Sequence, residues 1–160
     1  MIIRHATSAD LDSVTLIEAS SFNELEAAKK EEIKDRIELD GSFFWLLDDN
    51  GEITAFIQGF PTKEENLTDD MFHTPEKFDK NGGWLMLLSV AAHPLHRGRG
   101  FASKVMRRVI ADCREQGRKG IVLTCKERLI PFYQRFGFEN EGKSASEHGG
   151  AVWYQMRLTF

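Results

Sequence analysis

Residues 84–117 read WLMLLSVAAHPLHRGRGFASKVMRRVIADCREQG, and the order of residue types along them decides the fold. Trp84 to Ala91 is nearly continuous apolar, the pattern of a strand buried on both faces. His93-Pro94-Leu95-His96-Arg97-Gly98-Arg99-Gly100 then breaks the run with turn formers and cations. Phe101, Val105, Met106, Val109, Ile110 and Cys113 recur at helical spacing, with Lys104, Arg107 and Arg108 between them. Gly117 is placed to close that helix. The segment is a strand, a Gly/Arg-rich loop and a helix.

A helix that starts directly after such a loop presents free backbone N–H groups, and its macrodipole makes that end partly positive. Gly98 and Gly100 let the backbone approach an anion where a β-carbon would collide. Arg97 and Arg99 add charge-assisted hydrogen bonds. The arrangement predicts a pyrophosphate-binding loop. No G-x-x-x-x-G-K-[ST] sequence is present. Gly98-x-Gly100 with Ser103 imitates part of a dinucleotide fingerprint, but it sits mid-chain after a hairpin rather than in a repeated βαβ unit. On the loop alone, a basic glycine turn that merely starts a helix remains the alternative.

Upstream, residues 2–6 read as a first strand. Ala9, Leu11, Val14, Leu16, Ile17 and Ala19 read as a helix capped by Thr7 or Ser8. A second helix is expected over Glu24–Leu39, ended by Gly41. Residues 42–48 and 52–60 form strands around the Asp49-Asn50-Gly51 turn, whose residues tolerate positive φ. Residues 61–82 break the pattern and read as a long loop, either functional or a surface excursion. Downstream come a strand over Gly120–Thr124, a helix over Glu127–Phe136 closed by Gly137, and a last strand over residues 150–159. The expected fold class is α/β in the α+β sense: a mixed, largely antiparallel sheet flanked by helices, in one domain over residues 1–160.

Composition bounds the function. The 160 residues are 41% hydrophobic and 29% charged, a normal balance for one compact domain. A net charge of −4 argues against a sequence-independent nucleic-acid module around Arg97–Arg108, because such binding needs a basic stripe that releases counterions. Cys113 and Cys125 lie in apolar periodic segments without metal-ligand spacing, so they read as reduced core thiols, and no metal is expected. Met1-Ile2-Ile3-Arg4-His5 turns polar too early for a signal peptide, and no apolar run approaches the ~20 residues of a membrane span. The expectation is a cytoplasmic protein with no membrane and no nucleic-acid partner.

Two spaced motifs now carry a resemblance. Arg97-Gly98-Arg99-Gly100-Phe101-Ala102 matches [QR]-x-x-G-x-[GA], and Ile130-Pro131-Phe132-Tyr133-Gln134-Arg135-Phe136-Gly137-Phe138 looks like an FY-x-x-x-GF segment. In that order, with the strand and helix around the loop, they resemble the GCN5-related N-acetyltransferase (GNAT) superfamily over nearly the whole chain. Residues 123–138 (LTCKERLIPFYQRFGF), with Ala55-Phe56-Ile57 and Lys63–Thr68, are similar to its arylalkylamine, or serotonin, N-acetyltransferase group.

The resemblance implies splayed strands at an acetyl-CoA site, with acetyl-CoA as co-substrate. Leu88, Ser89 and Val90 hold the positions whose backbone pairs with the pantetheine arm; they also read as plain core strand. The backbone from Gly98 through Phe101 to Ala102, with Arg97 and Arg99, is implied to take the pyrophosphate. Lys104, Arg107 or Arg108 either reach the 3′-phosphate or form a solvated helix face. Tyr133 matches the tyrosine that similar enzymes place near the CoA sulfur, where a phenol of reference pKa about 10 acts as general acid; its alternative is a core tyrosine among Phe132, Phe136 and Phe138. Cys125 reads as core rather than as an acyl-enzyme nucleophile.

The implied reaction is direct transfer of acetyl to a primary amine. A small (aryl)alkylamine or polyamine leads, with an amino sugar or a protein N-terminus or lysine as alternatives. A CoA-binding sensor without turnover is the alternative from another class. Vertebrate-type arylalkylamine enzymes carry two histidines on the strand before the loop, and the matching positions here are Trp84 and Met86, which cannot act as bases. His93 and His96 lie in the loop, and His73, Glu64, Glu65 and Asp70 in the long loop; none is singled out as the base. Phe22, Met71, Phe72 and Phe78 either line an amine pocket or belong to the core. The amine and the oligomeric state, monomer or homodimer, stay undecided.

Overall fold

The computed structural model describes residues 1–160. In chain order it contains β1 (Ile2–His5), α1 (Leu11–Ser21), α2 (Lys30–Asp40), β2 (Phe44–Asp49), β3 (Glu52–Thr62), β4 (Trp84–Ala92), α3 (Phe101–Glu115), β5 (Gly120–Cys125), α4 (Ile130–Gln134), β6 (Glu139–Lys143) and β7 (Tyr154–Thr159). The strands form a seven-stranded sheet in the order β1-β2-β3-β4-β5-β7-β6. The pairs β1–β2, β2–β3, β5–β7 and β6–β7 are antiparallel, and β4–β5 is parallel. Two parallel neighbours need a crossover, and α3 supplies it. The mixed, largely antiparallel sheet is the one the element order predicts. No helix is long and apolar enough to cross a membrane.

The β2–β3 hairpin closes where Asn50 and Gly51 take φ of 52° and 93°, and the Gly51 N–H donates to Asp48 Oδ1 at 2.7 Å. The second helix is shorter than the composition of residues 24–39 predicts. Asn23 Oδ1 accepts the N–H groups of Leu25 and Glu26, both at 3.0 Å, and Glu18 Oε2 accepts that of Ala28 at 2.9 Å. Side-chain oxygens capture these amides in a turn before a helix can start, so α2 begins at Lys30. Similarly, residues 127–129 form a 3₁₀ turn, and only Ile130–Gln134 is α-helical.

The chain divides into two compact units. The first comprises Met1–Gly59 and Ser89–Val109. Val14 and Ile17 of α1 and Ile33 and Ile37 of α2, spaced three and four apart, bury one stripe of each helix against Phe44 and Leu46 of β2 and Ile53 and Phe56 of β3. Each such side chain contributes about 1.5–3 kcal/mol of burial.

The second unit comprises Phe60–Leu88 and Ile110–Phe160. Its core joins Phe60, Trp84, Met86, Leu88 and Val122 to Leu67 and Met71 of the long loop. That loop is therefore packed rather than loose. It makes a 3₁₀ turn at Asp69–Phe72, and Arg118 donates to the carbonyls of Gly82 at 2.5 Å and Lys80 at 3.2 Å.

Candidate functional site

The loop before α3 belongs to the first unit. Gly98 and Gly100 adopt φ of +76° and +77°, a region that favours glycine, and a β-carbon on either would point into open space. The first helical bond of α3 runs from the Lys104 N–H to the Gly100 carbonyl at 3.0 Å. The N–H groups of Phe101, Ala102 and Ser103 precede it, at the positive end of a 15-residue helix. Val105, Met106, Val109 and Cys113 are fully buried and fix the helix, while Lys104, Arg107 and Arg108 are exposed. A helix start with the geometry that suits an anion is thus held in place by its own apolar stripe.

The two loop arginines have different partners. Arg97 donates from Nη2 to the Ser20 carbonyl at 2.6 Å and to Ser21 Oγ at 3.2 Å, and from Nε to the Ala92 carbonyl at 3.3 Å. It ties the loop to the C-terminal turn of α1, where a cation also complements the helix dipole. Arg99 reaches His96 Nδ1 from Nη1 at 3.0 Å and lies over the Phe101 ring, 5.1 Å from its centroid. His96 Nε2 is 2.7 Å from Glu52 Oε1, and His93 Nδ1 accepts the Leu95 N–H at 3.1 Å.

Glu52, His93 and His96 bring potential metal-ligand atoms within 4.8 Å of one another. The Nδ1 of each imidazole already accepts a hydrogen bond, from Leu95 N–H or from Arg99, so a metal would have to displace one of these donors or force the other tautomer. A cleft of about 400 Å³ lined by Ser13, Leu16, Asn50, Ile53, Glu52 and His93 shares two of these side chains.

β4 and β5 pair from Trp84↔Gly120 to Leu87↔Leu123. Both strands continue past the last pair, β4 to Ala92 and β5 to Cys125. Leu88, Ser89 and Val90 lie within β4 directly after Leu87, the last residue paired with β5, so their backbone lies beyond the β5 ladder. Ser89 is buried and donates from Oγ to Glu18 Oε1 at 2.7 Å. No sequence signal links these two residues, which are 71 positions apart.

Tyr133, in the second unit, projects from α4 and is 6% exposed. Phe132 packs edge-on at 5.0 Å and Phe138 at 5.9 Å. Burial, and then the neighbouring Cys125, push the phenol above its ordinary value, so it stays protonated at neutral pH. Burial also raises the thiols, Cys125 to about 11 and Cys113 to about 12. Neither is a thiolate nucleophile at neutral pH.

Trp84 and Met86 are buried core residues beneath Leu67 and Met71. Phe78 meets Phe60 edge-on at 5.5 Å, and Phe22 packs on the core of the first unit. Of the long-loop acids, Asp70 is paired with Lys77 at 3.2 Å, and Glu64 and Glu65 are exposed. Sequence reasoning gave residues 144–149 no role and read 150–153 as part of the last strand, which begins only at Tyr154 because residues 148–150 form a 3₁₀ turn. Phe72 stacks on His148 at 4.5 Å, Trp153 Nε1 donates to the His148 carbonyl at 2.7 Å, and Asp69 accepts from Ser146 Oγ at 2.5 Å and from the Glu147 N–H at 3.0 Å. His73 lies 6.4 Å from His148, ring to ring. A lone His in a Gly/Ser-rich stretch carries no local mark of such packing.

With this geometry in hand, comparison with known proteins is informative. A family model described as "Acetyltransferase (GNAT) family" matches residues 11–138. Serotonin N-acetyltransferase of Mesocricetus auratus is 28% identical over 114 residues, covering 69% of this chain and 53% of that protein. N-acetyltransferase 8 of Rattus norvegicus is 27% identical over 107 residues, covering 65% and 42%. The chain therefore spans about half the length of these relatives or less. Among solved structures, the GphF GNAT-like decarboxylase in complex with isobutyryl-CoA superposes with a TM-score of 0.85 at 18% identity, over 99% of both chains. That likeness is one of fold.

Proposed function

Because the chain belongs to the acetyltransferase (GNAT) family, we propose that residues 1–160 act as one domain that moves an acetyl group from acetyl-CoA to a primary amine. The observation that carries the reading is the start of α3, where three free amides follow two positive-φ glycines. The diphosphate of CoA is the anion that such an end accepts in this family. Leu88, Ser89 and Val90 offer strand backbone to the pantetheine arm, and the amides from Gly98 through Phe101 to Ala102 take the pyrophosphate. Arg99 adds charge, and Arg97 anchors the loop on α1.

The chemistry is direct attack. The lone pair of a neutral amine forms a bond to the thioester carbonyl carbon, and an N–H at Val90 stabilises the oxyanion. Collapse breaks the C–S bond. Tyr133 gives its proton to the departing thiolate, the amine nitrogen loses one proton to solvent, and solvent returns one to the phenolate. Tyr133 is protonated at neutral pH, the state a general acid starts from, and the raised thiol of Cys125 supports transfer without an acyl-enzyme. The unpaired buried thiols support a cytoplasmic location.

The likeness to serotonin N-acetyltransferase supports a small arylalkylamine as acceptor. Thiol release from acetyl-CoA is to be measured across tryptamine, phenylethylamine, spermidine, an aminoglycoside and a peptide. Turnover is expected first with the aryl amines. Turnover only with another amine removes the arylalkylamine assignment, and tight CoA binding without turnover on any amine points to a sensor.

A further inference from the structure

We propose that Glu52 and His96 are positioning residues whose hydrogen bonds hold the Arg99 guanidinium at the start of α3 for the pyrophosphate of the co-substrate. The inference rests on reading that loop as the CoA site.

A guanidinium only donates hydrogen bonds. Its approach to His96 at 3.0 Å therefore assigns a lone pair to Nδ1. The single proton of a neutral ring then sits on Nε2 and points at the Glu52 carboxylate 2.7 Å away. Glu52 is held below the usual carboxylate range chiefly by this bond. The chain Glu52–His96–Arg99 thus has one direction, and its base is the first residue of a sheet strand. The Phe101 ring, on the first residue of α3, supports the guanidinium 5.1 Å away.

An exposed arginine fastened at Nη1 and at its face loses less side-chain freedom when it meets an anion. Its Nε and Nη2 edges stay available for the charge-assisted bonds that phosphate accepts.

The test is calorimetric titration of the full chain with CoA at pH 8. His96→Leu, which can neither accept from Arg99 nor donate to Glu52, should bind about fivefold more weakly than wild type, the scale of one exposed charged contact. His96→Gln, whose amide offers both an acceptor and a donor, should restore most of that affinity. In an Arg99→Gln background, His96→Leu should have no additional effect. Glu52→Gln, a near-isosteric change at the base of the chain, should weaken binding only when Arg99 is present. Wild-type affinity in His96→Leu, or additive losses from His96→Leu and Arg99→Gln, would overturn the relay while leaving the CoA site intact. Wild type that binds no CoA would overturn the site reading and the relay together.

Discussion

Tyr133 shows how one residue's surroundings set its chemistry. Phe132 and Phe138 pack edge-on against its ring, and the desolvation that follows keeps the phenol protonated. A protonated group is what a departing thiolate needs. Tyr133→Phe keeps the ring and its aromatic contacts, so the fold should stay as stable. Its acetyl transfer, followed by thiol release at saturating substrate, should fall about 10²-fold. Its affinity for acetyl-CoA, read by calorimetry, should be unchanged. Undiminished turnover would remove Tyr133 from the mechanism.

At the scale of the element, α3 does two jobs. Its buried stripe of Val105, Met106, Val109 and Cys113 seats the helix, and its start faces solvent with unspent amides. The start works only if the chain enters through a backbone region that side chains resist, which Gly98 and Gly100 supply. Gly100→Glu would place a carboxylate at the proposed pyrophosphate site, on a backbone with φ of +77°. Affinity for acetyl-CoA should drop by at least about 10²-fold from charge repulsion at this end. Far-ultraviolet circular dichroism should still report a folded chain, since no neighbour lies within 4 Å of the added Cβ. Unchanged affinity would show that the anion is held elsewhere.

At the scale of the whole molecule, stability should depend on acid through one arginine. Arg4 on β1 bridges Asp10, ahead of α1, at 2.7 Å and Asp48 on β2 at 2.9 Å. Hydrogen bonds from Arg4 hold both carboxyls below their ordinary values. A carboxyl depressed in the folded state adds stability above its unfolded pKa of about 3.9, and that stability is lost as pH falls through the folded value. The melting temperature should therefore be flat from pH 7 to 5 and fall steeply below about pH 4. Arg4→Met should melt lower at pH 7 and lose less on going to pH 3. An equal acid loss in both proteins would show that the bridge does not govern acid stability.

Much of this was legible in one sequence. Local patterns determined the strand–loop–helix at residues 84–117, the Asn50-Gly51 turn, and the mixed, largely antiparallel sheet, because period, glycine placement and capping act over a few residues. Trp84 and Met86 could be read from sequence as unable to serve as bases; that they form the floor under the long loop required contacts across the chain. Tertiary structure alone decided that Arg97 grips the end of α1, that Glu52 reaches His96, that Ser89 meets Glu18, and that residues 144–153 pack on Phe72 and Asp69. Those partners lie 44 to 78 positions apart. Nothing in local composition encodes such separations; they arise when burial of the apolar stripes brings distant polar groups together, and each then takes the hydrogen-bond partner within reach.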